Sequence, residues 1–433
     1  MTALTDRGRG LVVRAAATPA EIAGAGEVTV AAYLADGLLT TEHPYTRELR
    51  DGARRAAEAT LLVALGVGDA GSEPAVAGTL TFAPHGSPWA EFARPGEVEI
   101  RMLAVDPASR GRGVGEALMR SALAEAMALG AQRVVLSTLD SMSTAHRLYG
   151  RLGFVPAPAR DWHSDGVDLR VLEWAAPQAP GAAVEAATWP PLEVVDVDGW
   201  RLGLSGGFTR RANSVLPLAE PGDMADALAW VERCYAERGL PAVFRVGRES
   251  RPDGLRDLLV ARGYAPAAVT DVLVLEGLAA EAAPSAATGD LVDGRLAGVV
   301  GEVVLDISEE PDEAWLTCWT GVKSGGGADP GLARAVVTGS PAVYLSARDA
   351  SGVVGVIRAG FAADWAGISC LTVAPQARRR GLGRALTHAA QAAAARAGAR
   401  RCFLQVETGN VIAAELYARM GFLPADRYCY LER

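Results

Sequence analysis

Residues 103–118 read LAVDPASRGRGVGEAL, and residues 371–386 read LTVAPQARRRGLGRAL. Each stretch is an apolar strand pattern, then Arg-x-x-Gly-x-Gly, then the start of a helical pattern. Glycines let backbone N–H groups approach an anion, and the helix that follows presents the positive end of its dipole to it. Arginines add charge for a phosphate. We therefore interpret both loops as pyrophosphate cradles. Neither continues as Gly-Lys-Ser/Thr, so they are not Walker A loops.

The same plan recurs along the chain. The two loops are followed by AHRLYGRLGF (145–154) and AAELYARMGF (413–422), and every paired position differs by 268 residues. Residues 192–277 repeat the plan at an offset of 110, so that the interval from the helix leucine to the turn glycine is 35 residues in all three copies. This spacing predicts three copies of one helix, strand, helix and Gly-aromatic turn.

Two stretches rich in Ala and Pro, residues 175–191 and 278–288, are predicted to be linkers. They divide the chain into predicted domains at 1–175, 192–277 and 289–433. Strand and helix patterns alternate within the first block, which predicts an α/β domain with a mixed sheet.

Composition excludes several classes of protein. The 433 residues carry a net charge of −9 and a pI near 5.3, which argues against a nucleic-acid binder. The first residues have no uninterrupted apolar core, so we expect no secretory signal. No apolar run reaches about 18 residues, so we expect no membrane association. Five cysteines without CxxC spacing predict reduced thiols in a cytoplasmic protein, and we expect no metal site.

The two loops, together with their downstream Leu-Tyr and Gly-Phe pairs, resemble the core motifs of the GCN5-related N-acetyltransferases, the GNAT superfamily. The resemblance implies a repeated GNAT fold: a mixed, mostly antiparallel sheet with flanking helices and a splayed central strand pair. It also implies acetyl-CoA as the cofactor. The cofactor-binding positions carried over are Leu103, Ala104, Val105, Arg110, Gly111, Arg112, Gly113, Val114 and Gly115 in the first copy, and Leu371, Thr372, Val373, Arg378, Arg379, Arg380, Gly381, Leu382, Gly383 and Asn410 in the last.

The resemblance further implies an acid and a base. Tyr149 and Tyr417 stand where a family tyrosine often protonates the departing thiolate. Glu99 stands at the position of a strand carboxylate that deprotonates the amine, with Glu97 as the second choice. Two-residue alternation would place Glu99 on the same strand face as Leu103 and Val105.

Neither copy matches the family at every position. Gly367 replaces the strand carboxylate in the last copy, whose base would then be Glu407 or a chain of waters. Conversely, Asn410 is matched by Met142 in the first copy. The loop of the middle copy, residues 220–225, carries two carboxylates and a proline, and Leu259 replaces the tyrosine. We therefore expect the middle copy to bind no cofactor.

We expect an acetyltransferase that acts on a primary amine of a small molecule or peptide. Protein N-terminal acetylation and non-catalytic acyl-CoA sensing remain as alternatives. The sequence does not decide the acceptor or the oligomeric state.

Overall fold

The computed structural model describes residues 4–6, 11–66, 75–164, 166–278, 303–323 and 329–433. The second predicted linker therefore lies, after its first residue, outside the described residues, and so do residues 289–302 of the predicted last domain. The chain forms two compact units. One comprises Met1–Pro177, Thr408–Glu415 and Pro424–Asp426, and the other comprises Gln178–Glu407, Leu416–Leu423 and Arg427–Arg433.

The first unit is built on a nine-stranded sheet flanked by helices. Its strands are β1 (Leu4–Asp6), β2 (Leu11–Ala15), β3 (Thr60–Gly66), β4 (Val76–Pro84), β5 (Glu97–Val105), β6 (Arg133–Thr138), β7 (Val155–Pro156), β8 (Trp162–Ser164) and β9 (Val167–Ala175). Its helices are α1 (Pro19–Ala35), α2 (Tyr45–Arg50), α3 (Gly52–Glu58), α4 (Val114–Ala128) and α5 (Ser143–Arg151). The order is β1-β2-β3-β4-β5-β6-β9-β7, with β8 paired to β9, and among the described strands of this sheet β5 and β6 are the one parallel pair.

Local sequence explains where the helices near the sheet begin. Thr18 and Glu21 form a reciprocal capping box at the start of α1, and Pro19 occupies the first turn. Helix α4 starts directly after Gly113, whose left-handed backbone (φ 79°) turns the chain from the loop into the helix. Helix α4 buries Leu118, Met119 and their neighbours against the sheet.

The described strands after residue 177 form an eleven-stranded sheet of order β10-β11-β12-β13-β20-β14-β19-β18-β17-β16-β15. Its strands are β10 (Glu193–Val197), β11 (Trp200–Leu204), β12 (Val215–Pro217), β13 (Val243–Gly247), β14 (Ala265–Leu275), β15 (Val304–Ser308), β16 (Ala342–Asp349), β17 (Gly352–Ala362), β18 (Trp365–Val373), β19 (Arg401–Glu407) and β20 (Leu423–Glu432). Its helices are α6 (Ala182–Thr188), α7 (Met224–Ala236), α8 (Leu255–Ala261), α9 (Glu313–Lys323), α10 (Pro330–Val337), α11 (Leu382–Arg396) and α12 (Val411–Arg419).

The second sheet is continuous because two strands are exchanged. In the first copy β6 pairs with β9, the closing strand of the same copy. In the second sheet β19 pairs with β14, which follows the middle copy, and β13 pairs with β20, which follows the last copy. The predicted blocks 192–277 and 289–433 therefore each complete the sheet of the other. That the two blocks are separate domains stays a prediction, which rests on the order of the repeats along the chain.

The linker predicted at residues 175–191 contains helix α6, which is buried on one side, and that prediction was wrong for this part. Within α6, Glu185 and Thr188 are almost fully buried. The Glu185 carboxylate pairs with Arg245 at 2.7 Å and accepts a hydrogen bond from Gln405. The pairing partners lie 60 and 220 residues away, so local composition could not reveal them.

In the described ranges, no helix is both long and apolar enough to cross a membrane.

Candidate acyl-CoA sites

A β-bulge marks the centre of the first sheet. The register of the β4–β5 pair shifts between Thr79 and Thr81, and Met102 at the bulge has a left-handed backbone with φ 52°. The parallel pairing of β5 with β6 ends at Ile100, although β5 continues to Val105. The backbone of residues 103–105 therefore runs past its partner strand and can hydrogen-bond an extended ligand along that edge.

The last copy repeats this geometry at the same offset. The β17–β18 register shifts between Val356 and Arg358, Cys370 has φ 60°, and pairing of β18 with β19 ends at Ile368. Both copies thus contain the splayed central strand pair, and this prediction is confirmed.

A cleft of about 550 Å³ lies beside the splayed end of β5. The lining includes most cofactor positions predicted for this copy: Leu103, Ala104, Val105, Arg110, Gly111, Gly113, Val114 and Gly115. Arg112 is exposed and is not among the described lining residues. A Cβ at Gly115 would make ordinary van der Waals contacts with Val105 and Leu148 at 3.4 and 3.5 Å, so the start of α4 lies beside β5 and α5. The structure therefore brings the predicted strand and loop together in one cleft.

Other lining residues were not predicted from the sequence. Tyr33, Asp36 and Leu38 come from the end of α1 and the residues after it, and Arg147 and Arg151 lie one turn apart on α5. The two arginines were recognisable in principle, because an i, i+4 cationic pair beside a phosphate loop complements an anion. The contribution of α1 has no motif, because it depends on how that helix packs over the sheet.

The side chain of Arg110 points to α1. Its Nη1 lies 2.7 Å from Asp36 Oδ1, and its Nη2 donates to the carbonyl of Ala32 at 3.4 Å. That Arg110 supplies charge to a phosphate stays a prediction, and its guanidinium already has partners on α1 and its cap.

The loop of the last copy keeps the same backbone with a different residue. Arg379 occupies the position of Gly111, and its φ of 62° is left-handed like the 75° of that glycine. Arg380 pairs with Asp349 at 2.7 Å, and hydrogen bonds from Ser351 and Arg380 lower the pKa of Asp349 to about 2. Arg378 donates from Nε to the carbonyl of Val373. Of the other predicted positions, Leu371 to Val373 end β18, Leu382 and Gly383 open α11, and Gly381 precedes it at φ 85°.

We expect Arg379→Gly to raise the free energy of unfolding by about 1 kcal/mol, because a left-handed backbone costs a non-glycine residue about 1–2 kcal/mol. Arg378→Gly is the matched control, since Arg378 has an ordinary φ of −66° and glycine there should destabilise by roughly 0.5–1 kcal/mol. Urea denaturation measures both. Equal destabilisation by the two changes would show that Arg379 is not strained.

The two predicted acids are buried. Tyr149 and Tyr417 are 5% and 7% exposed, and burial raises the pKa of both phenols. Each ring packs against the phenylalanine of the following turn, Phe154 or Phe422. Tyr149 is not among the described residues that line the cleft, although its neighbour Leu148 is.

The predicted base Glu99 is fully buried, and the face predicted for it was wrong. Glu99 pairs across the sheet with Ala83, Ala104 with Thr79, and Val105 with Gly78. Because the bulge adds one residue to β5, Glu99 shares a face with Ala104 and not with Val105. Two-residue alternation holds only within a regular strand.

One carboxylate oxygen of Glu99 accepts hydrogen bonds, and the other lies in a longer ion pair with Arg101. Its Oε2 accepts hydrogen bonds from the amides of Phe92 and Ala93 at 3.0 and 3.3 Å. Its Oε1 is buried without a hydrogen-bond partner in the described structure, and lies 3.8 Å from Arg101. Burial raises the pKa of Glu99, against the smaller effects of the Phe92 amide and Arg101.

Glu97, the second choice, is already committed to an ion pair. Arg160 donates to both of its oxygens at 2.9 and 2.8 Å. Burial opposes its ionisation, but Arg160 and the Arg94 amide outweigh burial and lower the pKa of Glu97. A carboxylate held in this way is a weak base.

In the last copy, helix α6 fills the place of the carboxylate. A Cβ on Gly367 would lie 2.6 Å from Thr188 Oγ1, and one on its strand partner Gly360 would lie 2.8 Å from the Thr188 carbonyl. That carbonyl also accepts hydrogen bonds from Arg358 and Ser340. Trp189 follows in a core cluster with Trp319. There is no room for a larger residue at position 367.

The remaining predicted residue, Asn410, directly precedes α12, and its Oδ1 accepts from the Ala413 amide at 3.3 Å. Glu407, the alternative base, is exposed at the end of β19. In the first copy, Met142 lines the cleft at the position matching Asn410.

Two family models match separate parts of the chain. Residues 32–154 match the acetyltransferase (GNAT) family, and residues 168–431 match the family described as probable histone acetyltransferase Rv0428c C-terminal. A similar curated protein is the uncharacterized N-acetyltransferase YobR of Bacillus subtilis (strain 168), 26% identical over 250 residues, 57% of this chain and 94% of the relative.

Similar solved structures include two that extend over nearly the whole chain. One is a GCN5-related N-acetyltransferase from Sphaerobacter thermophilus, with 15% identity, coverage of 98% of this chain and 95% of the other, and a TM-score of 0.33. The other is a tandem GNAT protein from the clavulanic acid biosynthesis pathway, with 15% identity, coverage of 98% of each chain, and a TM-score of 0.33. The second family model extends over more than half of the 433 residues. The chain is a tandem member of the GNAT superfamily, whose members use acetyl-CoA, and its residues 168–431 belong to the Rv0428c C-terminal family.

Proposed function

We propose that the protein transfers an acetyl group from acetyl-CoA to a primary amine of a small molecule or peptide, and that the first copy performs the transfer. The observation that carries the proposal is the splayed end of β5 beside the glycine loop. An extended arm can pair with Leu103 to Val105 while an anion is held at the start of α4. These two features lie in one cleft.

The residues of the cleft fit acetyl-CoA. Gly111 and Gly113 are left-handed, and a side chain on Gly111 would meet nothing within 4 Å, so the loop backbone is open to a ligand. Arg147 and Arg151 add positive charge to the lining. When bound, acetyl-CoA supplies an activated acyl group and a thiolate leaving group. The cleft residues hold and orient this substrate, which contributes to the rate by proximity.

Glu99 is the proposed base. Its Oε1 makes no hydrogen bond in the described structure and is the proposed proton acceptor; because Glu99 is not among the described residues that line the cleft, the proton would reach it from the amine through water. The raised pKa makes it a stronger base than an exposed glutamate. Tyr149 is the proposed acid, because its phenol is protonated at neutral pH and its neighbour Leu148 lines the cleft.

A second function is proposed for the last copy: binding of acyl-CoA without transfer. Its loop and bulge repeat those of the first copy, but Thr188 occupies the place of the base. The alternative of acyl-CoA sensing thus has a specific observation in its favour for this copy.

We expect Tyr149→Phe to lower turnover by roughly 10²-fold or more, and Tyr417→Phe to leave it near the wild-type value. Both tyrosines are buried against a phenylalanine, so the two variants are structurally matched controls for each other. Steady-state release of CoA thiol, with an amine found by an open screen, measures this. Loss of activity in Tyr417→Phe alone would move the chemistry to the last copy.

A further inference from the structure

Helix α1 forms one wall of the first cleft. Ala32 and Tyr33 lie in its last turn, Asp36 caps that turn, and all three line the cleft. Tyr33 is half-buried and also packs in a hydrophobic cluster that contains Met102 and Trp89. Tyr33 therefore connects the cleft to the bulge of β5, where that strand leaves β6.

The position of Tyr33 along the cleft indicates which part of a bound cofactor it would contact. If Leu103 to Val105 pair with the extended arm of the cofactor, the reacting end of that arm lies toward the bulge residue Met102. The ring of Tyr33 packs in the cluster formed around this residue. Its hydroxyl belongs to a residue that lines this wall, and burial, with smaller effects of Tyr45 and Tyr149, raises its pKa. The phenol therefore remains a hydrogen-bond donor at neutral pH.

Arg110 holds this part of α1 against the phosphate loop. It bonds the carbonyl of Ala32, next to Tyr33 in sequence, and pairs with Asp36, the residue that caps the helix. The last turn of α1 has no basic residue of its own, so Arg110 also supplies the cation favoured at a helix C-terminus. The glycine loop is thereby joined to the turn that carries Tyr33.

We propose that Tyr33 is a further catalytic residue of the first copy, whose hydroxyl donates a hydrogen bond to the acyl carbonyl oxygen, and that Arg110 and Asp36 position it. This inference rests on the proposed function. A donor aimed at an oxygen that gains negative charge stabilises the transition state more than the bound ground state.

Binding provides a test that does not depend on turnover. In a full-length chain carrying Gly381→Trp, so that the last loop is blocked, we expect Tyr33→Phe to weaken acetyl-CoA by about two- to tenfold and leave free CoA unchanged. Free CoA lacks the carbonyl that the hydroxyl would contact. Tyr45→Phe is the matched control, because Tyr45 belongs to the same cluster and is not among the described cleft residues. Calorimetry measures the affinities of the Gly381→Trp parent and of both further variants for acetyl-CoA and for free CoA.

Turnover separates this inference from the proposed function. We expect Tyr33→Phe to lower kcat by about 10²-fold, and Asp36→Asn to lower it about two- to fivefold with the acetyl-CoA affinity kept. Glu27→Gln removes another exposed ion pair of α1, with Arg50, and should leave kcat unchanged. Full activity and an unchanged preference for acetyl-CoA in Tyr33→Phe would overturn the role of Tyr33 alone. Absence of transfer by the wild-type protein would overturn both proposals.

Discussion

Replacing Glu99 by glutamine is expected to lower turnover by about 10²–10⁴-fold, the usual loss on removing a general base. The amide is nearly isosteric, and its oxygen can still accept the hydrogen bonds that Phe92 and Ala93 donate to the carboxylate. The loop over Glu99 should therefore keep its structure, and the affinity for acetyl-CoA should change little.

The pH profile adds a second readout for Glu99. A general base acts in its ionised form, so the rate should rise with pH through the pKa of Glu99. Because burial raises that pKa, the rise should occur at higher pH than for an exposed glutamate. In Glu99→Gln this rise should disappear from the residual activity.

The matched control is Glu407→Gln in the last copy. Glu407 is an exposed carboxylate at the end of β19, the strand that corresponds to β6 of the first copy at the offset of 268 residues. We expect this variant to retain wild-type turnover. If Glu407→Gln is inactive and Glu99→Gln is active, Glu99 is not the base.

The second large effect concerns the loops. Gly113→Trp and Gly381→Trp should each remove one acetyl-CoA site, and the double variant should bind none. The φ values of 79° and 85° disfavour any side chain, and an indole would occupy the space in which the backbone amides meet the phosphates. Calorimetric titration should give two sites for the wild-type protein and one for each single variant.

A control must show that the loss of acetyl-CoA binding does not come from backbone strain alone. Gly239 also has a positive φ of 67°, in the turn after α7, and a side chain there would meet nothing within 4 Å. Gly239→Trp should therefore bear a similar backbone cost and still bind two equivalents. Undiminished affinity in the double variant would refute the assignment of the loops.

Much of the fold could be predicted from the sequence because the copies can be aligned with one another at a constant offset. The offset of 268 residues relates the loops, and it also relates the bulge residues Met102 and Cys370, which no motif marks. The strand exchange was not predictable, since β14 and β20 each have the pattern of a closing strand and the sequence does not say which sheet each joins.

The site residues were predictable where the backbone conformation requires a particular residue type. They were not predictable where a residue reaches the site through the packing of distant elements. Gly111 and Gly113 follow from the left-handed loop. The face of Glu99 did not follow, because a bulge inverts the alternation after it. Tyr33 and Asp36 reach the cleft through the packing of α1, and Thr188 reaches Gly367 from a stretch with linker composition.

The central claim is acetyl transfer to an amine by this chain. The most direct measurement incubates the wild-type protein with acetyl-CoA and a panel of small amines and peptides, and follows thiol release and product mass together. The account predicts amine-dependent release of CoA with one acetyl group added per thiol released, and loss of both in Glu99→Gln. Binding of acetyl-CoA at both loops without acetylation of any amine would contradict it, and would indicate an acyl-CoA-binding protein.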